Sequence, residues 1–478
     1  MEKHPQQNDS NSTQKNLQKL KTHIEGLDKI LNGGFSAGRT TLISGGPGTG
    51  KSVLGLEFIY RGAMSGHPGI FVSFEETGED IRRNALTFGW DLAALEQAGA
   101  FFLMEGQIGP DIFRSGDFNL KGLLAIIDGI AEEMGAHRIT IDALDILMRL
   151  FHDPKKQQNE IFSLNNWLKD RKMTALLTAK SIKGKDAYEY DYLEFMADCV
   201  IHLDQRVRDQ VNTKRLQVTK YRGSRYETNE YPFLVVDHGM VFNSISDIDL
   251  SYEPLSQRIS SGNRFLDDIL GGGYRKGSCI LVTGVTGTGK TSMASTFAHS
   301  ACEKGQKVLY VNFEESRKSL VAGMLSIGID LRPAIEDDSL RLMTMMPESM
   351  GIEEHLYHEM TTIKSFQPEH LVVDAISACK RIAGEKASFD FLMRLIHFCR
   401  KRGITVILIN QAKSAWKYHQ ISGIGLSSLI DTIITLHYKD VGNETNRMLQ
   451  VKKSRGTRHS NKYHTYFLTE KGIQFDTD

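Results

Sequence analysis

Little in this chain points to a secreted or membrane-bound protein. Only five cysteines, Cys199, Cys279, Cys302, Cys379 and Cys399, are scattered over 478 residues, and none has the C-x-x-C spacing of a zinc or redox site. A disulfide-stapled scaffold is excluded, and a reducing, cytoplasmic setting is expected. No apolar run approaches the roughly 20 residues that span a bilayer. Residues 1–19 are rich in Gln, Asn, Ser and Lys, lack the apolar core of a signal peptide and read as a disordered lead-in. Net charge is missing too: Lys plus Arg and Asp plus Glu both number 58. Nothing in the bulk charge therefore favours coating a nucleic acid or an anionic membrane. Proline is scarce, 10 residues against 43 glycines, which suits a globular protein with many tight backbone turns.

What the chain does contain, it contains twice. Leu27-Asp28-Lys29-Ile30-Leu31 resembles Leu266-Asp267-Asp268-Ile269-Leu270, and Phe74-Glu75-Glu76-Thr77 returns as Phe313-Glu314-Glu315-Ser316, both at an offset of 239. Further on, Ile141-Asp142-Ala143 matches Val373-Asp374-Ala375 at 232, and Lys220-Tyr221-Arg222-Gly223 matches Lys453-Ser454-Arg455-Gly456 at 233. One short deletion accounts for the change of offset. The duplication predicts a first domain over 20–243, a linker over 244–261 and a second domain over 262–478, each of ordinary size. Short apolar runs alternate with helix-length segments in both halves, which predicts an α/β fold with a mostly parallel sheet flanked by helices. Strands are expected at Thr40–Ser44, Ile70–Phe74, Arg138–Ile141, Ala175–Thr178, Cys199–Leu203 and Leu216–Thr219. In the second half they are expected at Cys279–Thr283, Val308–Phe313, Leu371–Val373 and Val406–Ile409.

The chemistry sits mostly at the C-terminal ends of these strands, where open α/β sheets bind ligands. Gly45 to Ser52 and Gly284 to Thr291 are complete P-loops, each between an expected strand and an expected helix. In the first, Gly48, Thr49, Gly50, Lys51, Ser52 and Val53 would cradle the phosphates of ATP or GTP; in the second, Thr286, Gly287, Thr288, Gly289, Lys290, Thr291 and Ser292. Ser52 and Thr291 would hold Mg²⁺, with Asp142 and Asp374 as Walker-B carboxylates positioning its hydration shell. Glu75-Glu76 and Glu314-Glu315 stand at the end of the next strand, close to where a γ-phosphate would lie. Adjacent carboxylates repel, so their repetition suggests work: one of each pair orients or deprotonates a nucleophile. Lys220 with Arg222, and Lys453 with Arg455, share a strand face because side chains alternate with period two. In a ring ATPase such a pair would reach the nucleotide held by the neighbouring subunit.

Taken together, the double P-loop, both Phe-Glu-Glu-Thr/Ser motifs, Phe88-Gly89-Trp90-Asp91-Leu92, Glu230-Tyr231-Pro232-Phe233 and both Lys-x-Arg-Gly motifs resemble the KaiC family of clock ATPases and autokinases. The resemblance implies two RecA-like P-loop domains per chain, stacked as two rings of a homohexamer with ATP at the subunit interfaces. The first domain would hydrolyse ATP, and the second would act as a serine/threonine autokinase. The halves differ where that matters: upstream of Asp431 the second half carries Ser427 and Ser428, whereas the first carries Glu194 and Phe195 at the same offset. In the family this is the position of the Ser-Thr pair phosphorylated across the interface, so Ser427 and Ser428 are the phosphoacceptor candidates. By the same resemblance Ser422 accompanies the phosphosite, and Arg381 would pair with a phosphoserine. The segment Phe113–Leu120 resembles the loop near which KaiB docks, which makes a KaiB-like protein a plausible partner. Only six residues follow Gly472, where clock members continue into a KaiA-binding tail, so autophosphorylation is expected without KaiA. The alternatives are a RadA- or DnaB-like nucleic-acid ATPase on the same fold, and a signalling ATPase without kinase activity. Neutral charge and the absence of a zinc module or a basic, aromatic-laced loop argue against the first.

Overall fold

Ile70, Phe71 and Val72 are all buried, yet successive side chains of a strand point to opposite faces, so such a run needs cover on both sides of its sheet. The computed structural model, which describes residues 18–106, 120–151, 153–181, 191–208, 211–242, 257–412, 428–441 and 444–476, provides that cover twice. Two units divide the chain: Met1–Arg206 with Thr213–Ser244, and Val207–Asn212 with Ile245–Asp478.

The first unit is built on β1 (Thr40–Gly45), β2 (Gly69–Ser73), β3 (Phe101–Glu105), β4 (Arg138–Asp142), β5 (Thr174–Lys180), β6 (Cys199–Arg208), β7 (Val211–Tyr221), β8 (Glu230–Val236) and β9 (Gly239–Phe242). Across the sheet they run β9-β8-β7-β6-β1-β5-β4-β2-β3. The six strands from β6 to β3 pair in parallel. The pairs β7–β8 and β8–β9 are antiparallel. The second unit repeats the order with β10 (Cys279–Gly284), β11 (Val308–Asn312), β12 (Leu340–Thr344), β13 (His370–Asp374), β14 (Thr405–Gln411), β15 (Thr432–Val441), β16 (Glu444–Ser454), β17 (His464–Thr469) and β18 (Gly472–Phe475). Its sheet runs β12-β11-β13-β14-β10-β15-β16-β17-β18. The expected architecture of two mostly parallel sheets flanked by helices is what the chain adopts. Neighbouring residues of one strand feed different cores: Leu42 packs in one cluster and Ile43 in another, as do Leu281 and Ile280.

Every strand expected from the sequence is present, with β5, β6 and β7 longer than the apolar runs that signalled them. Two helices of each unit matter for the site: α1 (Lys51–Met64) and α2 (Gly78–Leu86) in the first, α3 (Lys290–Glu303) and α4 (Arg317–Leu325) in the second. Gly50 and Gly289 precede α1 and α3 with φ of 94° and 87°, a left-handed turn that favours glycine. Thr77 and Ser316 cap α2 and α4 by accepting from the backbone N–H of Asp80 and Ser319. All five cysteines are free.

Candidate nucleotide sites

Both P-loops close on themselves in the same way. Lys51 Nζ donates to Gly46 O at 2.9 Å and Thr49 Oγ1 to the same carbonyl at 2.8 Å. Lys290 and Thr288 treat Val285 O identically, at 2.9 and 2.8 Å. Burial lowers the pKa of each lysine, opposed chiefly by Asp142 in the first half and Asp374 in the second. Two cations that the sequence reading passed over lie across these loops: Lys214 Nζ donates to Gly48 O at 2.8 Å, and Arg447 Nε to Gly287 O at 3.3 Å. They are related by the same offset of 233 that relates the Lys-x-Arg motifs, the signal that could have found them. Gln411 adds a bond to Thr286 Oγ1 at 2.7 Å.

Beside each lysine stands a buried aspartate. Asp142 accepts from Thr178 Oγ1 at 2.5 Å and from Ser52; burial still raises its pKa. Asp374 Oδ2 accepts from Thr291 Oγ1 at 2.8 Å and Tyr310 OH at 3.0 Å, and burial pushes this carboxyl up to about 6. Its Oδ1 is buried without a partner among the described residues. An unpaired buried carboxylate oxygen is costly unless something binds it. A serine or threonine hydroxyl and one carboxylate form an oxygen donor set that fits Mg²⁺ shared with nucleotide phosphates, and the lysine beside them suits the phosphates themselves. Val53 and Ser292 follow in the first turns of α1 and α3.

The glutamate pairs divide their tasks. Glu76 accepts from Asn84 Nδ2 at 3.1 Å and Glu315 from Ser319 Oγ at 2.6 Å, so the second member of each pair is tied to α2 or α4. The first members, Glu75 and Glu314, are exposed, and their charges act on Lys51 and Lys290. Repetition of the pairs suggests work for one member of each; the second member has a structural partner.

The Lys-x-Arg pairs occupy the other end of the sheet. Arg222 N donates to Asp198 O, and Asp198 N to Thr40 O at the start of β1; Arg455, Asp431 and Cys279 form the same chain of bonds at the start of β10. The P-loops lie beyond the opposite ends of those six-residue strands, roughly 16 Å away at ~3.3 Å per residue. Lys220 Nζ donates to the carbonyls of Glu194 and Phe195 at 2.7 and 2.9 Å, and Arg222 Nη2 to Phe195 O at 2.8 Å. In the second half Lys453 Nζ donates to Ile430 O at 2.7 Å, and Arg455 is exposed. Ser428, exposed and three residues before Asp431, stands at this same end. Ser427, Ser422 and residues 113–119 lie outside the described residues. Arg381 is held by Glu348 at 3.0 Å.

Comparison with known proteins agrees with the duplication. A family model described as "ATPase: KaiC" matches residues 20–246 and again 259–478. The chain is 36% identical over 467 residues to the circadian clock protein KaiC2 of Synechocystis sp., covering 97% of this chain and 82% of that protein. It is 33% identical over 467 residues to the circadian clock oscillator protein KaiC of Synechococcus elongatus, covering 97% and 90%. To the protein of that description from Parathermosynechococcus lividus it is 34% identical over 464 residues, covering 96% and 85%.

Proposed function

The chain belongs to the KaiC family, and from that premise we propose that it is an ATP hydrolase and serine autokinase whose reactions take place between subunits of a homohexamer. The observation that carries this reading is the separation along each sheet. The phosphate-binding loop ends one side of β1 and β10, while Lys220 with Arg222, Lys453 with Arg455, and Ser428 stand at the other. A chain cannot bring its own cations or its own serine to its own nucleotide without unfolding the strand between them. Head-to-tail packing supplies both from a neighbour, and a closed ring satisfies every site.

In the first half Glu75 would orient and deprotonate water. In the second, Glu314 would take the proton of the acceptor hydroxyl as its oxygen bonds to the γ-phosphorus and the bond to the β-phosphate oxygen breaks, leaving ADP. Lys51, Lys290 and the neighbour's Lys-x-Arg pair would hold the phosphates and meet the developing charge. Bound Mg²⁺, held through Ser52 and Asp142 or Thr291 and Asp374, would neutralise charge shared between the β- and γ-phosphates. Ser427 and Ser428 are the proposed acceptors, and Ser422 is the residue that the resemblance associates with them. Arg381 would exchange Glu348 for the new phosphate. A KaiB-like protein is the proposed partner of the first half, in a cytoplasmic regulatory role; among the described residues no helix is long and apolar enough to cross a membrane.

Phosphate-affinity electrophoresis of purified protein incubated with Mg-ATP tests the kinase reading. Wild type is expected to give a slower band that Ser427→Ala/Ser428→Ala abolishes. A wild type that never shifts overturns it, and an ATPase rate stimulated by DNA would favour a nucleic-acid motor instead.

A further inference from the structure

The two halves brace the same carboxylate from opposite neighbouring strands. In the first, Thr178 on β5 donates to Asp142 Oδ1 at 2.5 Å and accepts from Ala143 N at 2.8 Å. In the second, the offset of 232 puts Asn410 at that place, where its amide donates to Thr283 Oγ1 at 3.1 Å. The hydroxyl for Asp374 comes instead from Tyr310 on β11, 3.0 Å from Oδ2. Phe71 holds the corresponding place in the first half: Phe71 pairs with Thr140 two residues before Ser73 meets Asp142, and Tyr310 with Val372 two residues before Asn312 meets Asp374. One hydroxyl has been lost from one side of the aspartate and gained on the other.

Tyr310 is wholly buried, and its hydroxyl donates to Asp374. Asp374 Oδ2 has two donors, Thr291 and Tyr310, while Oδ1 has none among the described residues. If the Thr291 hydroxyl were engaged by a bound metal–nucleotide, Tyr310 would be the donor that keeps Oδ2 paired. A single fixed bond on one oxygen sets the direction of the other.

We propose that Tyr310 is a positioning residue of the second site, holding Asp374 so that its unpaired oxygen serves metal–nucleotide binding, as Thr178 does for Asp142 in the first. The proposal rests on the reading that both P-loops bind a divalent cation with ATP. Phenylalanine already occupies this place in the first half, so Tyr310→Phe removes one oxygen from a setting that accepts the ring.

The test is a Mn²⁺ titration followed by electron paramagnetic resonance, on the full chain loaded with ATPγS. The two classes of site are assigned with Asp142→Asn and Asp374→Asn. Tyr310→Phe is expected to weaken Mn²⁺ about tenfold, the usual cost of losing an outer-shell partner, in the second class alone. Thr178→Val is expected to do so in the first class alone. Binding of a fluorescent ATP analogue in EDTA should be unchanged in both variants, which a merely structural role would not leave intact. Tyr310→Phe affinity within twofold of wild type, or equal loss with and without metal, overturns the proposal. A wild type that binds no Mn²⁺–nucleotide in its second half removes the underlying reading itself, a result visible before any variant is made.

Discussion

Glu314 and Glu315 are chemically the same and one residue apart, yet the side chain that holds one leaves the other free to act. Ser319 Oγ, 2.6 Å from Glu315, belongs to the first turn of the following helix. Glu314→Gln is therefore expected to lower phosphate transfer about a hundredfold, the lower range for losing a general base, while Glu315→Gln changes it by less than about fivefold. Single-turnover transfer from labelled ATP measures both, and equal losses would reverse the assignment. The same contrast is expected in ATP hydrolysis for Glu75→Gln against Glu76→Gln, since Asn84 takes the place of Ser319. The pairs themselves were legible in the sequence as repeated motifs. The division within them was not, because it depends on which side chain of the next helical turn reaches back. Thr178 and Tyr310 were hidden for a stronger reason: they stand 36 and 64 residues from their aspartates, and only the sheet order brings them there.

At the level of elements, periodicity revealed the central parallel strands because they are buried on both faces and read as unbroken apolar runs. It passed over β3, β8, β9 and β12 and the four strands β15–β18, most of which lie towards sheet edges, where half-exposed strands carry mixed side chains such as the Phe-Phe-Leu-Met-Glu of β3. Burial also creates a liability that no motif announces. Glu359, in the helix Ile352–Phe366, is fully buried with neither carboxylate oxygen partnered among the described residues, and burial pushes its pKa up to about 8. A carboxyl that stays protonated in the folded state while the unfolded chain ionises gives most stability below the unfolded pKa. That stability is lost as pH rises towards 8, at up to about 1.4 kcal/mol per pH unit. Glu359→Gln should therefore melt progressively higher than wild type as pH is raised from 5 to 8. Scanning fluorimetry across that range decides, and a constant difference in melting temperature would show that Glu359 ionises normally.

For the whole molecule, complementation is the sharpest expectation. Lys290→Ala chains keep the cations and Ser428 at one end of β10, and Arg455→Ala chains keep the intact phosphate loop at the other. Each alone should be inactive in transfer. Mixed and reassembled in equal amounts, about a quarter of the interfaces would join two sound ends if assembly is head to tail. Phosphate should then appear on the Lys290→Ala chain only, which a size tag resolves on a gel; label on the Arg455→Ala chain would place the serine beside its own loop after all. The strand between loop and cations has a last consequence for control. If the acceptor end reaches the loop only from a neighbour, as proposed, the protein would measure its own abundance: on dilution below the assembly threshold, turnover per chain should fall away although every fold is intact.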